Sequence, residues 1–478
     1  MKSVFILGIT MSCLLLSCSG RQDRPSRTQE SRTINGGKPR VIVMTDSEID
    51  DRCSMVHFLL CSCDFEVDAL IQTNSVFQRN GWSHLHWLEK EIDDYEVVYP
   101  NLKVHNPGYP SPDFLRSRMF LGDEDENHLA DVTPSLVQPG EKSLIDPSEW
   151  DDTPGSDRIV DVLLEDDPRT VYIQAWGGGD TAARAFWKLK NLYPADYERA
   201  ISKVVMYNIW YQDGAGSYIE QEHPLVTMLL SYGFSGTWDY GSQRYTDGFA
   251  DRYLHKTSAL AAHYLQANIS EGDSPAFFHF IGNGLRSWEN PAWGGWGGQF
   301  HKDDRAVNTW VDNGKGSYSR WIEQVNRDFE ARLRWAQTPE YGRANHHPVI
   351  TVENGLERTI HAGDTLHIRA VADDPDPMDF DSMWGSSAAE AMGMDEDRAR
   401  EVFAAYVADK PKCVVSWSQM EGSGSYQEHI TLIPEAEGVL FVAPAVTKPE
   451  TLHLVMEATD RGTPALTSYA RIIVTIKP

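Results

Sequence analysis

Four carboxylates, Asp46, Glu48, Asp50 and Asp51, stand within six positions, directly after the apolar run Val41-Ile42-Val43-Met44. Like charges held that close repel unless something positive sits among them. Hard oxygen donors in such number suit Ca²⁺, which takes about six to eight of them. The same residues have a second use, because carboxylates are favoured at helix starts, where they complement unpaired N–H groups. The apolar stretch Met55-Val56-His57-Phe58-Leu59-Leu60 follows within a few residues. A cation site and a helix start are therefore the two chemistries open to this stretch.

The elements that must position these residues follow from hydrophobic rhythm. The 41–44 run reads as a buried strand, and ligands in open α/β sheets bind outside the carboxyl ends of such strands. Residues 66–74 repeat the strand signal and end in small polar residues. An amphipathic stretch over 82–95 leads to Val97-Val98-Tyr99, which reads as extended, and a polar excursion spans 107–157. Thr170-Val171-Tyr172-Ile173-Gln174-Ala175 is another strand, and its Trp176-Gly177-Gly178-Gly179-Asp180 turn feeds a helix through Leu189. Lys203-Val204-Val205-Met206-Tyr207 repeats the pattern. The fold class is thus α/β, a mostly parallel sheet with helices on both faces.

Asp46-x-x-x-Asp50-Asp51 after an apolar strand resembles the DxDxGxDD fingerprint of inosine-uridine-preferring nucleoside hydrolases. Trp176-Gly177-Gly178-Gly179-Asp180-Thr181-Ala182-Ala183 resembles the turn that supplies a backbone carbonyl to the ion of that fold. The Trp-Gly-Gly turn, Gly272-Asp273-Ser274-Pro275-Ala276-Phe277-Phe278, Asn283-Gly284-Leu285 and Trp293-Gly294-Gly295-Trp296-Gly297-Gly298 are similar to a bacterial branch described as cellulose-binding, with a nucleoside-hydrolase-like domain. The resemblance implies that Asp46 and Asp51 coordinate Ca²⁺, that the Trp176 carbonyl adds a ligand, and that Asp50 takes a proton from the attacking water. It implies a further aspartate from the C-terminal half, for which Asp273 is the choice and Glu289 the alternative. Asn74 matches an asparagine that touches sugar hydroxyls.

The chain departs from that pattern at two positions. Met44 replaces the first aspartate and Glu48 the glycine. The histidine that protonates a purine leaving group has no counterpart, with His223 and His279 as the available imidazoles. A site of this kind still hydrolyses an O-glycoside given a separate acid, for which Glu222, Glu289 and Asp213 are candidates. Asn208, Gln212 and Asp213 follow a buried strand and are expected to bind sugar. The glycine-spaced Trp293 and Trp296, on a loop that also holds Trp288, are expected to stack on sugar faces. Trp176, beside the proposed ion, is expected to line the pocket.

The ends of the chain carry separate signals. Lys2, an apolar run from Val4 to Leu16, and Leu15-Leu16-Ser17-Cys18 read as a lipoprotein signal segment with a lipobox over residues 1–18, with cleavage expected to leave Cys18 as the lipidated first residue. The expectation is a cell-envelope lipoprotein of the outer membrane, attached to the membrane through that anchor alone. Residues 19–38 form a tether. The nucleoside-hydrolase-like domain runs over 39–337, a linker over 338–346, and an immunoglobulin-like β-sandwich over 347–478 with a helical insertion at 387–409. Its acidic turn, residues 373–379, is expected to be solvated. Cys53, Cys61, Cys63 and Cys413 match no zinc-site spacing and read as buried free thiols.

A net charge of -27, from 43 basic and 70 acidic residues, excludes the basic surface that nucleic acid or anionic lipid requires. The resemblance, with the aspartates it matches, therefore implies a Ca²⁺-dependent glycosyl hydrolase acting on polysaccharide or oligosaccharide fragments. Non-catalytic carbohydrate binding is the alternative, and periplasmic nucleoside hydrolysis is a third.

Overall fold

The structure is a computed structural model describing residues 37–239, 258–264, 270–384, 389–408 and 410–478. The expected signal segment and the Cys18 anchor lie outside the described residues.

Every residue of β1 (Arg40–Thr45) is buried. Val41 and Val43 face one apolar layer with Phe58, Trp176 and Phe277, whereas Ile42 and Met44 face the other with Ile159, Val162 and Phe186. A strand covered on both faces needs a continuous apolar run, which is what residues 41–44 supply. β1 pairs in parallel with β2 (Glu66–Gln72) on one side and β4 (Val171–Ala175) on the other. The sheet also contains β3 (Met119–Leu121), β5 (Val204–Ile209), β6 (Thr227–Ser231), β7 (Phe300–Lys302) and β8 (Thr309–Asp312), in the order β3-β2-β1-β4-β5-β6-β8-β7. All pairings are parallel except that of the edge strand β7. The chain runs outward from β1 to β3 and returns to β4, so the strand order reverses at β1, where such sheets open a crevice.

The helices Ile49–Cys61, Trp87–His105 and Ile322–Trp335 bury one layer, and Pro154–Leu164, Asp180–Leu192 and Ala215–Glu222 the other. Two expectations need correction. Val97-Val98-Tyr99 lies inside the Trp87–His105 helix, because Val98 and Leu102 pack into the core and tertiary burial overrides β-branched propensity. The 107–157 excursion is not wholly on the surface, since it contributes β3 and buries Leu129 and Val137.

The C-terminal part is a β-sandwich of two four-stranded sheets. One holds β10 (Glu357–His361), β16 (Thr467–Lys477), β15 (Glu450–Thr459) and β12 (Val414–Gln419). The other holds β13 (Ile433–Glu435), β14 (Gly438–Val442), β11 (Thr365–Asp373) and β9 (Val349–Val352). Ile368, Phe441, Leu454 and Ile472 fill the space between them. The helix Glu396–Val407 forms part of the inserted segment, with Phe403 and Ala399 in a small cluster of its own. The acidic turn is only partly solvated: Asp373 is exposed, whereas buried Asp374 accepts the Asp376 N–H at 2.9 Å and buried Asp376 accepts the His346 N–H at 2.5 Å. His346 stacks on Tyr341 at 3.7 Å, so the turn braces the linker.

Arg471 of β16 joins the two parts. Its guanidinium donates to the carbonyls of Leu285 (2.5 Å), Trp293 (2.8 Å) and Gly294 (2.9 Å). Among the described residues, no helix is long and apolar enough to cross a membrane.

Candidate active site

Asp46 leaves the carboxyl end of β1, and the Ile49–Cys61 helix begins three residues later. Asp51 lies in the first turn of that helix, but its carboxylate points back to the strand end. Its Oδ1 accepts the Asp46 N–H at 3.1 Å and the Thr45 hydroxyl, which ties the helix start to the strand end. Asp46 Oδ1 accepts the Glu48 N–H at 3.2 Å, and the Ser75 hydroxyl stands beside the same carboxylate. Glu48 occupies the N-cap position without making a capping bond. The Gly272-Asp273 turn brings a further carboxylate from the C-terminal half, so that oxygens of Asp50, Asp51 and Asp273 lie within 4.8 Å of one another.

Asp46, Asp51 and Asp273 are each only 2% exposed. Asp46 Oδ2, Asp50 Oδ1 and Asp273 Oδ2 are buried without a hydrogen-bond partner. Burial and mutual repulsion raise the whole group. Asp50 is pushed up to about 7, chiefly by burial and then by the charge of Asp46. Glu48 is pushed up to about 8 by burial, then by Asp46 and Asp50. Burial is also the first cause at Asp46, Asp51 and Asp273. Native proteins seldom leave buried carboxylate oxygens unpaired. The donor set of Asp50, Asp51 and Asp273, with Asp46 as a neighbouring charge, fits a hard divalent cation.

The neighbouring turn is built close to the cluster. Gly178 N–H donates to the Asn74 carbonyl at 2.9 Å, which stitches β4 to the end of β2. A Cβ on Gly177 would lie 2.7 Å from Asp46 Cβ, and one on Gly272 would lie 2.7 Å from Asp50 Oδ2. The Trp176 carbonyl accepts from Gln212 Nε2, which leaves its second lone pair for another partner. Asn74 donates to the Arg79 carbonyl at 3.0 Å, and its Oδ1 is buried without a partner.

Other residues expected at the site are placed elsewhere. The Trp176 indole is fully buried and donates to Gln174 at 3.1 Å, so it packs beneath the crevice and does not line it. Asn208 is committed to the carbonyls of Met206 and Leu229. Asp213 accepts the N–H groups of Gly179, Asp180 and Ala215, holding the glycine turn in place with both oxygens used. Glu289 pairs with Arg286 at 2.6 Å and borders a cavity of about 480 Å³ at the amino ends of β1, β4 and β6, the opposite end of the sheet. Trp296 is 1% exposed and donates to Tyr469 at 3.4 Å. Trp293 packs edge-on against His453 at 5.1 Å, beneath the guanidinium groups of Arg286 and Arg471. These indoles seal the seam between the two parts, where no sugar face reaches Trp296.

Glu222 lies at the surface on Lys190. His223 and His279 are sealed in the core, each pushed down to about 3 chiefly by burial. None of the residues expected to act as a leaving-group acid faces the aspartates. The sequence did not single out Thr45 and Ser75. Their only signal was position, at the last residue of β1 and in the polar segment after β2.

A family model described as cellulose-binding Sde182, nucleoside hydrolase-like domain, matches residues 40–300. A second, described as the C-terminal domain of cellulose-binding protein Sde0182, matches residues 404–476. No curated protein matches the chain. Among solved structures, it is similar to a nucleoside hydrolase-related hypothetical protein from Saccharophagus degradans, described as associated with carbohydrate metabolism. The identity is 25% over 92% of this chain and 100% of that one, with a TM-score of 0.74. A plant nucleoside hydrolase, PpNRh1, aligns at 14% identity over 62% of this chain and 99% of that one, with a TM-score of 0.35.

Proposed function

The chain belongs to the cellulose-binding Sde182 family, with its nucleoside hydrolase-like domain, and from that premise we propose that it is a Ca²⁺-dependent glycosyl hydrolase acting on polysaccharide or oligosaccharide fragments. The observation that carries this reading is the convergence of Asp50, Asp51 and Asp273 oxygens within 4.8 Å of one another, with Asp50 Oδ1 and Asp273 Oδ2 buried and unpartnered and the charge of Asp46 beside them. A surface that only docks sugar has no need to bury carboxylates against one another, an arrangement that disfavours their charged forms.

Asp46, Asp51 and Asp273, with the Trp176 carbonyl, would hold Ca²⁺. Bound there, the ion supplies Lewis-acid assistance to a water and to vicinal sugar hydroxyls. Asp50, whose Oδ1 has no other partner, accepts the proton of the water that attacks the anomeric carbon. Asn74 Oδ1 accepts from a sugar hydroxyl. The crevice is the pocket, and Cys18 is the point of attachment to the cell envelope.

A specific observation favours the second reading, carbohydrate binding without turnover: Glu222, Glu289 and Asp213 all face away from the aspartates. Substrates whose leaving group departs unprotonated separate the two readings. Nitrophenyl furanosides and pyranosides, inosine and soluble cellulose fragments are incubated with wild type and Asp50→Asn, with Ca²⁺ and after chelation. The proposal expects Ca²⁺-dependent nitrophenolate release that falls about 100-fold or more in Asp50→Asn. Retention of cellulose fragments with no release from any glycoside would establish the binding reading instead, and cleavage confined to inosine would establish nucleoside hydrolysis.

A further inference from the structure

The far half of the Ile49–Cys61 helix carries a second cluster, its members roughly 9 to 15 Å along the axis from Asp51 at about 1.5 Å per residue. His57 and Cys61 are four residues apart and share one helix face. Asp328 of the Ile322–Trp335 helix meets them, so that a ring nitrogen, the thiol sulfur and a carboxylate oxygen lie within 4.8 Å of one another. All three residues are buried, at 1%, 0% and 1% exposure.

The surroundings orient these groups. His57 Nδ1 faces Glu271 Oε1 at 3.1 Å in a pair sealed from solvent. The other ring nitrogen, Nε2, is buried without a hydrogen-bond partner. The imidazole is fixed by stacking on Phe329 at 3.9 Å and by edge contacts with Phe277 and Phe278. Asp328 Oδ2 accepts from Arg332 Nε at 2.7 Å. Its Oδ1 is paired with His347 Nε2 at 2.6 Å, which leaves that oxygen one further lone pair.

We propose that His57, Cys61 and Asp328 supply three ligands of a buried site for a borderline-soft divalent cation of the zinc type. The donor set is one imidazole nitrogen, one sulfur and one carboxylate oxygen, a combination that suits zinc and not calcium. Glu271 on the far nitrogen of the imidazole, and Arg332 on the far oxygen of the carboxylate, are the outer partners that such ligands characteristically have. Binding breaks the Cys61 S–H bond, forms the metal–sulfur bond and releases the proton to solvent. The cysteine spacings alone conceal the site, because its nitrogen and oxygen ligands come from a histidine one turn earlier and from a distant helix. Glu271 also precedes Asp273 by two residues, so the site anchors the turn that carries Asp273 to the acidic cluster.

The mature chain is produced in zinc-supplemented medium as wild type, Cys61→Ser and His57→Gln, dialysed against zinc-free buffer, and analysed by inductively coupled plasma mass spectrometry. Cobalt(II) exchange then reports ligand type through its thiolate charge-transfer absorption. The expected result is about one zinc per chain in wild type, retention reduced about tenfold or more in both variants, and a cobalt–thiolate band that Cys61→Ser abolishes. Folded wild type that retains no zinc and gives no cobalt band overturns the proposal. Zinc retention in both variants equal to that of wild type also overturns it, by assigning the metal to the carboxylates. If a variant fails to fold by circular dichroism, the wild-type cobalt band decides alone, because a carboxylate cluster gives no thiolate absorption.

Discussion

Ser47, not Glu48, carries the left-handed conformation of the turn after β1, with φ at 68° against -56° at the following residue. A glutamate at the position where the related fingerprint has glycine is therefore free of backbone strain. The aspartate spacing was legible in the sequence because it lies within one turn, whereas the roles of Asn208 and Asp213 depend on carbonyls and N–H groups brought in by other strands. Asp374 illustrates the same limit in the sandwich. An acidic run reads as solvated, yet this residue is buried and its carboxyl is pushed up to about 6, by burial first and by the charge of Asp376. Its native pKa stands above its ordinary value of 3.8, so the carboxylate costs no stability below that value and removes stability as pH rises through about 6. Asp374→Asn, which keeps an acceptor for the Asp376 N–H, is expected to match wild type at pH 4 and to exceed it by about 2 kcal/mol at pH 8. Urea denaturation across that range measures the difference, and parallel pH profiles would refute it.

At the scale of elements, apolar runs predicted β1, β2, β4 and β5 closely, because fully covered strands leave a continuous hydrophobic signature, whereas β3, β6 and β8 were not singled out. The Val97–Tyr99 segment misled because a strand signal and a helix buried on one side share the same short apolar run. The Trp176–Gly179 turn shows why its glycines are needed where they are. A Cβ on Gly178 would lie 2.6 Å from both the Asn74 carbonyl and Asp213 Oδ2, two groups that hold neighbouring strand ends. Gly178→Ala is expected to lower stability by about 2 kcal/mol and to weaken any ligand that depends on Asn74. Gly342→Ala, at a glycine with nothing within 4 Å of the added carbon, serves as the control and is expected to change stability by less than about 0.5 kcal/mol. Thermal unfolding of both variants provides the comparison, and equal midpoints would contradict the packing argument.

At the scale of the whole molecule, the change of pattern after the Ile322–Trp335 helix announced a second, all-β part, but nothing in the sequence announced the seam. Glycine-spaced tryptophans identify a loop and leave its partner unspecified. Here the partner is β16, whose Arg471 gathers the carbonyls of Leu285, Trp293 and Gly294 while Tyr469 receives Trp296. The central claim, that the aspartate crevice holds a hard divalent cation, is tested most directly by calorimetric titration of Ca²⁺ into the chelator-stripped mature chain, wild type and Asp273→Asn. The account predicts one equivalent bound by wild type and an affinity lower by about tenfold or more in the variant, since each carboxylate supplies charge and a ligand atom. Absence of binding to folded wild type, or identical binding by the variant, would contradict it.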